Sequence, residues 1–472
     1  MTRQKKIFLL FWWHMHQPLY KNPQNSEYEL PWTLIHSIKD YFDVPDWAEK
    51  FEFKMTFNIT PVLLDQIQEY SDTKKIKCKL LQIIKRRENT KEEDEFVKRL
   101  VKIITPYPKS RFSYAEKTRD LALNYLISWC GENLKNSEIV KNLSEKKSNY
   151  SDDEVESFIL EIEKHIKNII PKYKKLKEEK IISVSISPYY HPITPLLFDI
   201  EAAKEGEITE IPNVDRFLFY EDAKEQINKA KQKFEKIFGE LPSSMWPSEG
   251  AVSEKMLEEI SDIKFIATDE KILFKSREEK RKDKIYCRFL FKDKIFVVFR
   301  DTELSDLISF SYHSWDQKSA VQDFILRLKG IYDSVDFSPL VSIILDGENC
   351  WEYYPENGKI FMENLLSEIK KQDWIEPVKI EDIIELEGNP IIFIDKIKAG
   401  SWIDGKFSKW IGTKEKNSYW EKLAQARKIK GMSEKILVAE GSDWFWWQGE
   451  NPHQIEFLEV FDKLFNLYIS SD

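Results

Sequence analysis

Three short segments put acid–base side chains where they could do chemistry. The first is His14-Met15-His16-Gln17-Pro18. Two histidines at i and i+2 on an extended segment point the same way, because strand side chains alternate with period two. Such a pair can bind a metal, or donate hydrogen bonds to a substrate hydroxyl and a carboxylate. A pair of satisfied polar residues at a strand end is the plainer alternative. The second segment is Met245-Trp246-Pro247-Ser248-Glu249-Gly250, which holds Glu249 on a restrained turn beside a tryptophan. A helix starts just after it, and on local sequence alone a charge favoured by the helix dipole is the better explanation. The third is Ile343-Ile344-Leu345-Asp346-Gly347-Glu348-Asn349, an apolar run ending in two carboxylates and an amide. Asp-Gly is ordinary turn chemistry. Yet Trp351-Glu352-Tyr353-Tyr354 follows with no returning strand, and the ligand spacing of a calcium loop is absent.

Two further groups of residues join these. Arg300-Asp301 with Ser305-Asp306 places a cation among carboxylates, and Glu440-Gly441-Ser442-Asp443-Trp444-Phe445-Trp446-Trp447 surrounds Asp443 with rings. Six of the 15 tryptophans fall between Trp402 and Trp447. Aromatic faces suit the flat CH faces of sugars, so Asp443 and its rings read as a sugar subsite; a packed plug between two domains is the alternative.

The elements that must position these residues alternate. Apolar runs at Ile7–Trp13, Phe51–Phe57, Ile181–Ser187, Ile263–Thr268 and Val341–Asp346 read as buried strands. Helical patterns such as Glu221–Phe238, Ala320–Tyr332 and Lys359–Lys371 lie between them. Strand–helix alternation implies a parallel sheet with helices outside it. His14, His16, His191 and Asp346 then stand just after strand ends, on the rim where α/β barrels build their sites. Three regions break the alternation. Residues from about Leu64 to Lys180 look helical throughout and form an insertion with a solvated charged face. Lys284–Arg300 reads as a hairpin, Tyr286–Phe291 with Ile295–Phe299. Glu415–Ile429 and Gln454–Tyr468 make a C-terminal helical segment.

Composition narrows the function. The chain of 472 residues carries 72 basic and 81 acidic side chains, a net charge of −9, mixed along its length. Phosphate-rich partners need a basic face, so neither a nucleic acid nor an anionic membrane is expected. Four scattered cysteines show no CxxC spacing, which reads as buried thiols in a reducing compartment. Ile7–Trp13 follows a basic start but is short and has no small-residue cleavage site, so it reads as a first strand and the protein as cytoplasmic. There is no GxGxxG after a strand, no phosphate loop, no GxSxG elbow and no HExxH.

Taken in order, these segments resemble glycoside hydrolase family 57, and within it the α-amylase and amylopullulanase type. His14–Pro18 looks like the first family motif, and Asn58-Ile59-Thr60-Pro61 like the segment after it. Ser187-Pro188-Tyr189-Tyr190-His191-Pro192 resembles the second, Trp246–Gly250 the third, Asp346-Gly347-Glu348 the fourth and Glu440–Trp447 the fifth. Phe299-Arg300-Asp301, Ser401-Trp402 and Trp410-Ile411-Gly412 add lesser matches.

The resemblance implies an incomplete (β/α)7 barrel followed by a helical segment. The expected division is a catalytic barrel over 1–395, with the insertion inside it, and a C-terminal segment over 396–472 that contributes to the cleft. It also implies retaining cleavage of α-glucosidic bonds in starch-, glycogen- or pullulan-like glucans or maltooligosaccharides, with no cofactor and no metal in the chemistry. Glu249 takes the role of nucleophile and Asp346 that of acid/base. Substrate contacts fall to His14, His16, Gln17, His191, Trp246, Arg300, Asp301, Trp351, Asp443 and Trp444, with Trp246, Trp351 and Trp444 as walls. The chain departs from the family pattern at Ser183, Thr302 and Thr413, which places the differences on subsites and bond preference. Alternatives are 4-α-glucanotransferase or branching activity, a metal-dependent polysaccharide deacetylase using His14, His16 and an Asp, and a glucan-binding protein without catalysis.

Overall fold

The computed structural model describes residues 4–277, 281–450 and 456–470. Seven strands run in chain order round an incomplete α/β barrel: β1 (Ile7–Met15), β2 (Met55–Ile59), β3 (Ile182–Ser185), β4 (Ser244–Met245), β5 (Phe265–Asp269), β6 (Ile295–Arg300) and β7 (Leu340–Asp346). Parallel ladders join β7 to β1, β1 to β2, β2 to β3, β4 to β5 and β5 to β6. Two seams interrupt the ring. β3 meets β4 through an isolated bridge, Ile186 with Met245. β6 meets β7 where the Asp301 N–H donates to the Ser342 carbonyl at 2.9 Å. The barrel is therefore two half-shells, β7-β1-β2-β3 and β4-β5-β6.

β1 is an unbroken apolar run because both of its faces are covered. Phe8, Leu10 and Trp12 point into the barrel, where they meet Trp246, Phe265, Ala267, Val298 and Ile344. Leu9, Phe11 and Trp13 point outward into the larger core shared with the helices. The same alternation turns His14 inward at the barrel mouth. The expected strand at Phe51–Phe57 is shifted: Phe51 closes a helix, Asp43–Phe51, whose cap Glu52 is left-handed at φ 45°, and pairing begins only at Met55. The hairpin forms as expected, Arg288–Phe291 antiparallel to β6.

The insertion is a set of helices from Pro61–Tyr70 to Ile169–Glu178. It is not helical throughout: Lys77–Cys78 pairs with Glu27–Tyr28. Its charged residues do specific local tasks; Thr90 with Glu93, and Ser151 with Glu154, close capping boxes. After the barrel come α1 (Lys414–Lys430), α2 (Asp443–Trp446) and α3 (Leu458–Ile469). The expected Gln454–Tyr468 helix begins on residues outside those described. All four cysteines are free and buried. Among the described residues, no helix is long and apolar enough to cross a membrane.

Candidate active site

A cleft of about 790 Å³ lies at the C-terminal ends of the strands, a size suited to a small ligand. His14, His16, Gln17, Glu249, Arg300, Asp346 and Asp443 line it. Two glycines make room for the carboxylates. Gly347 passes the end of β1, where a Cβ would meet Met15 Sδ at 2.1 Å. Gly250 holds φ +58° next to Trp246 and Trp402, and Glu249 before it is itself left-handed at φ 57°. A glutamate accepts that conformation only when its surroundings impose it. Here the Trp402 N–H donates to the Glu249 carbonyl at 3.1 Å, and the Thr268 hydroxyl to the Gly250 carbonyl at 2.6 Å.

Glu249 and Asp346 stand on different half-shells and face one cleft. Burial raises the Glu249 carboxyl, the charge of Asp346 raises it further, and it reaches about 8 although the Trp402 indole N–H donates to its Oε2 at 2.8 Å. Burial also raises Asp346, to about 6, against the charges of Arg300 and His16, which pull it down. Arg300 lies over the Trp402 ring at 5.5 Å and donates to the Ile344 carbonyl at 2.8 Å. Between those two values one carboxyl of the pair, Glu249, holds a proton and Asp346 is ionised.

Three imidazoles pack together beside the carboxyls. Their centroids form a triangle, His191 lying 4.9 Å from His14 and 3.9 Å from His16, which are themselves 5.9 Å apart. His14 Nδ1 donates to Asn58 Oδ1 at 2.7 Å, which leaves its Nε2 as an acceptor. Burial holds His14 near 3 and His191 well below the ordinary histidine value, so both are neutral. His16 Nε2 donates to Asp443 Oδ2 at 2.9 Å, and its Nδ1 meets the Thr60 hydroxyl at 3.0 Å. His191 Nδ1 meets Ser442 Oγ at 3.1 Å and stands 3.8 Å from Glu249 Oε1, while its buried Nε2 has no partner.

The donor atoms of His16, His191 and Asp443 lie within 4.8 Å of one another, which raises the metal alternative. The rings argue against it. Imidazole lone pairs lie in the ring plane, and two rings stacked at 3.9 Å and 28° do not aim at one point about 2 Å away. The expected pair of His14 and His16 is not brought together as ligands, since among the described residues the converging donors are those of His16, His191 and Asp443, without His14.

Five expected contacts are corrected. Trp246, Trp351, Trp444 and His191 are fully buried and do not line the cleft. Trp246 packs behind Trp402 at 5.1 Å, Trp351 between Trp13 and Trp47, and Trp444 against Phe461 and Tyr468. Successive residues of a helix turn by about 100°, so on α2 Asp443 and Trp446 face the cleft while Trp444 and Phe445 face the core. Asp301 is also buried away from the cleft: its carboxylate caps the helix Thr302–Asp306 and accepts the Tyr286 hydroxyl at 2.9 Å. The rings at the cleft are those of Tyr20, Trp32, Phe310, Trp402, Trp446, Trp447 and Phe461. Of the departures, Thr302 lines the cleft and donates to Asp269 at 2.9 Å. Ser183 bonds Glu381, and Thr413 caps α1.

Sequence reasoning did not select Trp402 or Glu348 as site residues, although both lie in segments that resemble family motifs. Nothing local marks either: the Trp402–Glu249 bond spans 153 positions.

The sequence model of glycosyl hydrolase family 57 matches residues 10–395. The chain belongs to that family. Family 57 enzymes are among the solved structures it resembles. A branching enzyme from Thermococcus kodakaraensis aligns at 14% identity and a TM-score of 0.63, over 98% of this chain and 88% of that one. An α-amylase from Thermotoga maritima aligns at 13% and 0.59, over 98% and 92%. A 4-α-glucanotransferase from Thermococcus litoralis aligns at 14% and 0.57, over 98% and 60%. At such identities the likeness speaks for the family 57 barrel, not for one activity. A comparison with curated proteins finds no match.

Proposed function

We propose that this family 57 chain is a retaining glycoside hydrolase acting on α-glucosidic bonds of α-glucans, with Glu249 as nucleophile and Asp346 as acid/base. The observation that carries the reading is the carboxyl pair itself: two partly buried carboxyls on opposite half-shells, facing one cleft, both held above the ordinary carboxylate range. Asp346 gives a proton to the glycosidic oxygen while the Glu249 carboxylate attacks the anomeric carbon, and the leaving sugar departs. Water then gives a proton to Asp346 and adds to the same carbon, and Glu249 is released. In the empty cleft the proton favours Glu249, the more basic of the two. The scissile oxygen beside Asp346 and the positive charge that develops at carbon beside Glu249 favour the other arrangement.

His14, His16, Gln17, Arg300 and Asp443 hold the sugar, His191 backs Glu249 from 3.8 Å, and Trp402 orients Glu249 and forms one wall. The acceptors His14 Nε2 and Asp443 suit sugar hydroxyls. The proposed division is a barrel to residue 395 and a segment 396–472 that completes the cleft. If a sugar hydroxyl replaces water in the second step, the same machinery transfers glucan instead of hydrolysing it; the branching enzymes and the glucanotransferase among its structural neighbours favour keeping this second reading. The test is incubation with maltoheptaose and with pullulan, with identification of products. Shorter maltooligosaccharides alone support hydrolysis, and longer or branched products support transfer. Binding without any product from either substrate refutes both.

A further inference from the structure

Glu348 follows Asp346 by two residues, lines the cleft and is buried, yet nothing in the chemistry above uses it. Its contacts are specific. Oε1 accepts the His16 backbone N–H at 2.8 Å and the Tyr41 hydroxyl at 2.9 Å. Its backbone carbonyl accepts from Lys39 Nζ at 3.3 Å. Lys39 is wholly buried and is neutralised by Asp40 at 2.7 Å, which in turn holds His36 Nδ1 at 2.8 Å. A buried ammonium and two buried carboxyls need a reason to be there, because each desolvated charge is costly unless satisfied.

The strand register supplies one. His14 lies opposite Asp346 in the β1–β7 ladder, and the Gly347 N–H donates to the His14 carbonyl at 2.7 Å. There the ladder ends. The Glu348 side chain adds one more rung, from the loop after β7 to the His16 backbone after β1. Tyr41 and Lys39 anchor that rung from behind.

We propose that Glu348 is a positioning residue that locks the loop carrying Asp346 to the backbone of His16, and so fixes the direction from which the proton reaches the glycosidic oxygen. This rests on Asp346 being the acid/base. A displaced acid is harmful only where the leaving group needs a proton. A 4-nitrophenolate leaves without one.

The experiment compares Glu348→Ala, Glu348→Gln, Tyr41→Phe and Asp346→Ala on maltoheptaose and on a 4-nitrophenyl α-maltooligoside. Glu348→Ala is expected to lower kcat on maltoheptaose by about 30-fold or more with KM within about threefold, and the aryl substrate by roughly tenfold less. Glutamine keeps an acceptor oxygen, so Glu348→Gln recovers about tenfold of that loss, and Tyr41→Phe costs about threefold. Equal losses on both substrates, in step with a fall in melting temperature, make Glu348 merely structural and overturn the proposal. So does a Glu348→Gln variant as impaired as alanine, which would point to proton exchange by Glu348 itself. Asp346→Ala separates the two failures. If it shows no leaving-group dependence, the acid/base assignment falls; if it does and Glu348→Ala does not, only the positioning role falls.

Discussion

The barrel and the segment after residue 395 contribute to the cleft in different ways. In the barrel, polar site residues stand at strand ends, and parallel ladders fix their backbones: His14 and Asp346 are ladder partners, and Arg300 pairs with Asp269. The later segment offers loops and a one-turn helix to the cleft, and three of its side chains hydrogen-bond the barrel: Trp402 with Glu249, Ser442 with His191, Asp443 with His16. It is docked by short bridges, Val252 with Gly400 and Pro192 with Gly441, and by the Arg427–Asp222 ion pair. The match to the family model stops at residue 395. The difference teaches that the barrel places the two cleft carboxyls and dominates their acidity, while the later segment orients Glu249 through Trp402 and opposes part of the rise in its pKa.

The comparison is tested most severely at the barrel carboxyls. Glu249→Ala and Asp346→Ala should each lower kcat by about a thousandfold or more in a folded protein. Near-normal turnover in either folded variant would falsify its assignment.

Next comes the indole that reaches in from the other region. Trp402→Phe keeps a ring but removes the N–H that holds the Glu249 carboxyl down. The wild-type pH–rate profile should be a bell with limbs near 6 and 8. Below the lower limb both carboxyls are protonated and no anion attacks; above the upper one neither can give a proton. In Trp402→Phe the upper limb should move to higher pH, with a loss in kcat of about tenfold to a hundredfold. An upper limb that stays put would mean the later segment does not tune the carboxyl.

A third contrast lies within α2 and its neighbour. Trp444→Ala should lower the melting temperature sharply, since emptying a large buried site costs about 3–5 kcal/mol, and leave KM for maltoheptaose unchanged. Trp447→Ala, at the cleft, should raise KM several-fold with little thermal effect. Swapped outcomes would reverse the placement of the two rings.

The smallest effect concerns docking. Burial and the neighbouring Asp222 carboxyl raise Glu440 well above the ordinary glutamate value, and Gln226 Nε2 donates to it at 2.9 Å. A raised carboxyl favours the folded state at low pH and progressively disfavours it as pH climbs from the unfolded toward the folded value. Glu440→Gln should therefore flatten the decline of melting temperature as pH rises above the ordinary glutamate range. A decline as steep as wild type's would remove Glu440 from that role.

Much of the barrel was legible because burial on both faces writes continuous apolar runs, as in Ile7–Trp13 and Val341–Asp346. β4 was not, since it is two residues long and carries no pattern. The candidate carboxyls stood out only through motif order; locally, Glu249 looks like a helix-start charge. The tryptophan walls were misplaced because a ring in the core and a ring in a cleft have the same sequence signature, and only the turn of α2 separates Trp444 from Trp446.

The two seams in the barrel have a mechanical meaning. Backbone ladders are what resist sliding between neighbouring strands, and they are continuous within each half-shell but nearly absent between them. Glu249 rides on one half-shell and Asp346 on the other, so in the proposed mechanism the reach between attack and protonation is set across seams that continuous ladders do not brace. Substitutions along those seams, at Ile186, Ser342 or Asp301, offer a way to adjust the bite of the cleft without touching either carboxyl.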